Sequence, residues 1–178
     1  MSSEADAFKG VWGGVLSKME VTVVRKILKI AAAALLLLFA GAQFMRPERV
    51  NPPVVAGQSL EERAHVTREV AAILNRSCMD CHSNRTTWPW YSNVAPVSWF
   101  VIDHVNQGRR RLNFSEWGAY GQQEKEGKLK AICKFSKEGW MPLDSYAFIH
   151  RDARITPADV KALCEWASAE TSRLASLN

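Results

Sequence analysis

The pentapeptide Cys78-Met79-Asp80-Cys81-His82 places two thiols three positions apart and an imidazole directly after the second. On a helix, positions i and i+3 share a face, so both sulfurs can meet two carbons along one edge of a flat partner while the imidazole turns toward its centre. A C-x-x-C-H run is the attachment pattern of c-type haem, in which Cys78 and Cys81 form the thioethers and His82 ligates the iron. Two other chemistries use a C-x-x-C pair. A redox dithiol of the thioredoxin kind is expected after a strand, and a zinc site needs two further ligands at regular spacing. Neither context is present, because Cys133 and Cys164 stand alone on separate predicted helices.

An iron held by His82 has an opposite face that takes a second protein ligand or stays open. Met79 lies between the attaching cysteines and cannot cross to that face, which leaves Met141 as the methionine beyond residue 46 that can. Gly139-Trp140-Met141-Pro142 reads as a loop, where extended backbone can present a thioether free of helix sterics. Met141 is therefore the expected distal ligand. His150 is the first alternative, giving bis-histidine ligation, followed by His104, His65 and an open site. Each histidine also has a plainer role: His65 on the exposed side of the first helix, His104 bonded to a loop carbonyl or a haem propionate, His150 capping a turn. Arg109 and Arg110 offer a guanidinium fork for a propionate, against the plainer reading of an exposed helix end. Cys133 and Cys164, 31 positions apart, are a candidate disulfide or two buried free thiols.

The elements that must hold these groups read as helices. The first opens at Ser59, with Glu62 placed for a capping box, carries Val66, Val70, Ile73 and Leu74 as a stripe, and is expected to run into Cys78. Residues 84–96 hold Pro89 and Pro96 with Trp88, Trp90 and Tyr91 between them, an ordered aromatic loop. A second helix is predicted from Val97 to about Arg111 and a third from about Glu124 to Lys137, stopped by Gly139. The last begins at Thr156 as cap with Pro157 in the first turn and Asp159 at the third position, and runs nearly to the end. No period-two strand pattern and no repeat is present. The expected fold is all-α, a cytochrome-c-like helical domain with long loops around one covalent haem.

The net charge of +5 is spread along the chain, and its densest basic run, Arg109-Arg110-Arg111, is too small for a nucleic-acid footprint. Six of the seven tryptophans follow residue 80, where they could wall an apolar pocket or simply fill a core. Residues 27–45 are apolar except for Lys29 and Gln43, close to the roughly 20 residues that cross a bilayer as helix. Lys18, Arg25, Lys26 and Lys29 precede this stretch, so the positive-inside bias puts the N-terminus in the cytoplasm and everything from about Arg46 on the exported side. Ala40-Gly41-Ala42 offers a signal-peptide cleavage site as the rival to an uncleaved anchor. The organisation expected is a cytoplasmic segment at 1–26, of which residues 1–20 show no readable structure, a transmembrane helix or signal peptide at 27–45, an extended linker at 46–57 and a haem-binding domain at 58–178.

Taken together, Gln43-Phe44-Met45-Arg46-Pro47, Cys78 to Asn84, Trp88-Pro89-Trp90-Tyr91, Ala95-Pro96-Val97-Ser98-Trp99, Gly108-Arg109, Leu112-Asn113-Phe114-Ser115, and Met141-Pro142 with Tyr146 and His150 resemble the haem-binding domain family of small bacterial c-type cytochromes, over about residues 43–166. The resemblance implies a cytochrome-c-like helical fold, covalent haem and an exported location. The expected function is one-electron transfer in the inner membrane with the haem domain in the periplasm, without enzymatic turnover. The partners expected are redox proteins, such as a respiratory or photosynthetic complex, and no nucleic acid. The alternatives are a haem sensor or peroxidase-like enzyme with an open distal site, and a structural haem subunit of a larger complex.

Overall fold

The computed structural model describes residues 3–177, with side-chain surroundings from residue 21 onward. It divides into two compact units, Met1–Arg46 with Val94–Pro96, and Pro47–Asn93 with Val97–Asn178. The first unit is one long helix, α1 (Ser3–Ala42), followed by a 3-10 turn at Gln43–Met45. Within it, Val21–Met45 is a stretch of 25 residues with mean hydropathy 2.0 and no buried side chain, long and apolar enough to cross a membrane. This stretch starts earlier than residue 27. Arg25 and Lys26 interrupt the apolar run in the sequence, but long basic side chains can bury their stems and carry their charge to water without ending a helix. The same helix continues back through the residues in which the sequence shows no readable structure. At its other end the Gln43 amide bonds both the carbonyl and the N–H of Ala95, at 3.2 and 3.0 Å.

The second unit is all-α among its described residues: α2 (Leu60–Arg63), α3 (Arg68–Ser77), α4 (Met79–His82), α5 (Val97–Arg111), α6 (Gln122–Lys137), α7 (Asp144–Ile149) and α8 (Pro157–Ala175). Its core forms where helical stripes meet. Val70, Ile73 and Leu74 of α3 pack with Leu129 and Ile132 of α6 and with Leu163 and Trp166 of α8, each set at the three- and four-residue spacing that puts apolar side chains on one helix face. The 3-10 segment Phe114–Ala119, which no periodicity announces, adds the fully buried Phe114 and Trp117. Glu170 of α8 is buried yet satisfied, because Arg173 forks onto its carboxylate at 2.8 and 2.5 Å.

The single helix expected from Ser59 to Cys78 is broken in two. The Ser59–Glu62 capping box forms, but α2 ends at Arg63 and Ala64 is extended. Thr67 then caps α3, its hydroxyl accepting the Val70 N–H at 3.3 Å. A side-chain cap of this kind competes with helix continuation, and α8 takes up the backbone groups that the break releases. Trp166 Nε1 donates to the His65 carbonyl at 3.0 Å, and the His65 N–H donates to Glu170 at 3.3 Å.

The other three predicted helices stand within two residues of their expected limits. The α8 cap is reciprocal: Thr156 N–H donates to Asp159 Oδ2 at 2.7 Å while the Thr156 hydroxyl accepts from Asp159 N–H at 3.2 Å. Cys133 of α6 and Cys164 of α8 have their sulfurs 1.95 Å apart, at disulfide-bonding distance, across the contact between these two helices.

Candidate functional site

The C-x-x-C-H run sits at a joint between helices. Cys78 closes α3, its N–H donating to the Leu74 carbonyl at 2.9 Å, and its own backbone leaves the helical region. Its carbonyl then starts α4 by accepting from Cys81 and His82 at 3.2 and 3.0 Å. The two cysteines therefore stand one turn apart across a kink, and both are free. Burial pushes the Cys78 thiol up to about 12 and the Cys81 thiol up to about 11. A redox dithiol or a zinc ligand works as thiolate and sits where the pKa is lowered, so this environment speaks against both. Among the described residues no group of three or more Cys, His, Asp or Glu gathers as a metal would need.

His82 is oriented from behind. Its Nδ1 lies 3.0 Å from the carbonyls of both Gly108 and Leu112, at the end of α5. Two acceptors on one ring nitrogen fix the proton there, so Nε2 is left with its lone pair free for a metal. Burial also lowers the pKa of the imidazole, against the pull of these two carbonyls, and keeps it neutral. Phe114 meets the ring edge-on at 6.3 Å. This close approach of α4 to α5 depends on Gly108, since a Cβ at that position would lie 2.4 Å from the Cys81 carbonyl oxygen.

The loop after the motif is held by Arg109. Its guanidinium donates to Ser83 O at 2.8 Å, Val50 O at 2.6 Å, Asn51 Oδ1 at 2.8 Å and Thr86 Oγ1 at 2.7 Å. Four of its five N–H donors are thus spent on the protein, so an exposed helix end does not describe this residue. The same bonds correct the linker: residues 50–53 are extended as expected, but they are strapped to the motif loop, with Asn84 Nδ2 also donating to Pro53 O at 3.2 Å. The arginine that does border open space is Arg111, a residue the motif reading passed over.

Three adjoining cavities surround the motif. One of ≈ 200 Å³ lies between Cys81, His82 and Met141. A second, of ≈ 140 Å³, borders Cys78, His82, Phe135 and Met141. A third, of ≈ 210 Å³, is walled by Cys81, Val101, Val105, Leu143 and Ile149. The structure thus brings Met141 to the same hollows as His82. The end of α6 puts it there: Gly139 adopts φ +71°, a left-handed turn suited to glycine, and the N–H groups of Trp140 and Met141 both return to the Phe135 carbonyl, at 2.9 and 3.2 Å.

The histidine alternatives are placed elsewhere. His150 Nε2 is 2.7 Å from the Tyr91 hydroxyl, and its ring stacks on Tyr146 at 4.4 Å. His104 borders two of the cavities but belongs to α5, the helix behind His82, and its Nδ1 is 2.7 Å from the Phe100 carbonyl. His65 lies on a separate groove of ≈ 510 Å³ with Trp166 and Arg173. The tryptophans wall none of the three cavities. Trp117 and Trp166 are core, whereas Trp90 and Trp140 are 77% and 61% exposed.

This arrangement fits a haem. Two half-buried thiols one turn apart, an imidazole with Nε2 free and apolar hollows on either side form the donor set and enclosure that a covalently attached porphyrin needs. Ser77, whose buried hydroxyl has no partner, borders two of the same cavities and offers a donor or acceptor to a polar group placed there. Comparison with known families gives the same direction: the model of a haem-binding domain matches residues 37–169. Neither a curated protein nor a solved structure matches the chain.

Proposed function

The chain belongs to the haem-binding domain family, and from that premise we propose that it is a membrane-anchored, monohaem c-type cytochrome that carries single electrons on the exported side of the inner membrane. One observation carries this reading above the others: Cys78, Cys81 and His82 line one set of adjoining hollows, while the Nδ1 of His82 is tied to two carbonyls and leaves Nε2 as its ligating atom. Cys78 and Cys81 would attach one haem c, and His82 would hold its iron from the proximal side. The bound group supplies an iron that alternates between ferrous and ferric states, the chemistry of one-electron transfer.

This chain's residues do the rest. The carbonyls of Gly108 and Leu112 set the imidazole's direction and raise its basicity as a ligand. Met141 would hold the iron from the side opposite His82, and a thioether there would favour a relatively high potential. An iron held by His82 and Met141 together would have no place for a substrate, which makes the role a carrier rather than an enzyme. Leu112, Phe114, Ile132 and Phe135 would keep water from a haem seated there, and Arg111 would offer a cation to its carboxylate. The apolar stretch Val21–Met45 supports a single-pass anchor, and a bonded Cys133–Cys164 pair is at home in an oxidising compartment such as the periplasm. The partners are membrane-bound redox proteins of a respiratory or photosynthetic chain.

The ferric protein should show the weak far-red charge-transfer band of a methionine–iron bond. Met141→Ala should abolish this band while haem attachment persists. A band that survives the substitution, or is missing from the wild type, removes Met141 from the site.

A further inference from the structure

Asp80, the second residue between the two attaching cysteines, points its carboxylate away from the motif. Its Oδ2 accepts from the Tyr146 hydroxyl at 2.7 Å, and its Oδ1 accepts the Thr87 N–H at 2.9 Å. Tyr146 lies in the first turns of α7, which begins only three residues after Met141. Besides this bond, the helix is held by Arg154 Nε donating to the Ala147 carbonyl at 3.2 Å and, at its C-terminal end, by the contact of His150 with Tyr91. Ala147 is its one buried side chain, while Phe148 and Ile149 are 75% and 56% exposed, so apolar burial cannot hold it firmly. Burial, followed by the nearby Asp80 carboxylate, raises the Tyr146 phenol above its ordinary range, so the hydroxyl keeps its proton and stays a donor. This hydrogen bond joins segments 66 residues apart. On the other side of Tyr146, His150 stacks on the ring at 4.4 Å and is itself within 2.7 Å of the Tyr91 hydroxyl.

We propose that Asp80 and Tyr146 are positioning residues: their bond ties α7 to the haem-attachment motif and thereby sets where the preceding Met141 stands over the cavity that it shares with His82. The proposal rests on the reading of Met141 as distal ligand. It adds a function for one of the two positions between the cysteines of C-x-x-C-H. Two links transmit the effect. Pro142 and Leu143 are the whole connection between Met141 and α7, and proline allows that connection few backbone states. A drift of α7 is therefore passed to the Met141 backbone, from which the thioether is aimed.

The test uses the full-length, haem-loaded protein in detergent and two readouts, the far-red band of the ferric form and amide exchange of α7, where Ala147 and His150 donate to Leu143 and Tyr146 at 2.9 and 2.8 Å. Tyr146→Phe removes only the hydroxyl. It should speed exchange of these amides about tenfold and weaken the band with one haem still attached. Asp80→Ala, which also removes the acceptor of the Thr87 N–H, should do at least as much, and the double variant should go no further than Asp80→Ala, since the Tyr146 bond is then already lost. Tyr91→Phe, which keeps the Asp80 bond, should leave both readouts near wild type. Unchanged α7 exchange in Tyr146→Phe, or single effects that add in the double variant, overturns the proposal. A wild type without the band but with coupled exchange effects would instead remove Met141 as ligand while α7 remains tied to the motif.

Discussion

Gly108 shows how far the site depends on single atoms. The hydrogen in place of its Cβ is what lets α5 come within contact of the Cys81 carbonyl, and α5 in turn supplies both acceptors for His82 Nδ1. Gly108→Ala puts a methyl 2.4 Å from that oxygen, which is backbone and cannot swing aside. We expect destabilisation of about 1 to 3 kcal/mol from overpacking, together with a lower haem content, measured by denaturant unfolding and by haem-to-protein ratio. Wild-type stability and loading would show that α4 and α5 separate at no cost and that the His82 geometry is not set by this contact. The sequence already displayed Cys78, Cys81 and His82 by type and spacing alone, and Met141 by elimination. Gly108, Tyr146 and the Leu112 carbonyl could not be read that way, because their roles arise only where distant segments touch. Arg109 illustrates the same limit, since nothing in its neighbours along the chain says that Val50 and Thr86 will come within reach.

Among the elements, those with strong local signals were legible. Pro157 and the Thr156–Asp159 cap fix the start of α8, and Gly139 ends α6. The break between α2 and α3 was not legible, because the groups that compensate for it, Trp166 and Glu170, lie about a hundred residues away. A helix as short as α7 has too few residues to declare a period. The cross-link between α6 and α8 also belongs to this scale. With Cys133 and Cys164 separated by 31 positions, the loop-entropy model assigns the bond about 3 to 4 kcal/mol. Reduction should lower the unfolding midpoint in denaturant by a corresponding amount, and the double variant Cys133→Ser with Cys164→Ser should do the same while the ferric form keeps its far-red band, since neither cysteine borders the cavities around His82. An unfolding midpoint indifferent to reductant would mean that the pair is not bonded in the protein.

Across the whole molecule, two kinds of surface answer two solvents. The stretch Val21–Met45 buries none of its side chains, which is stable only if lipid replaces water around it, whereas Pro47–Asn93 and Val97–Asn178 fold around a core of their own. The apolar run was plain in the sequence, though its start was read six residues late because charges at Arg25 and Lys26 break a hydropathy pattern before they break a helix. The tether beyond it proved to be part of the haem domain's polar framework, through Arg109 and Asn84. Hydrogen bonds of that kind leave no pattern in composition. On the function proposed above, such a molecule would join a lipid-facing helix to a covalently bound pigment, and both properties would be visible in one number. The decisive measurement is the intact mass of the protein purified from membranes of cells that possess the haem-attachment machinery. The account predicts the mass of the chain with residues 27–45 retained plus one haem, which stays bound through acidified organic solvent. A mass without porphyrin, or pigment that leaves the chain in that solvent, would contradict thioether attachment at Cys78 and Cys81.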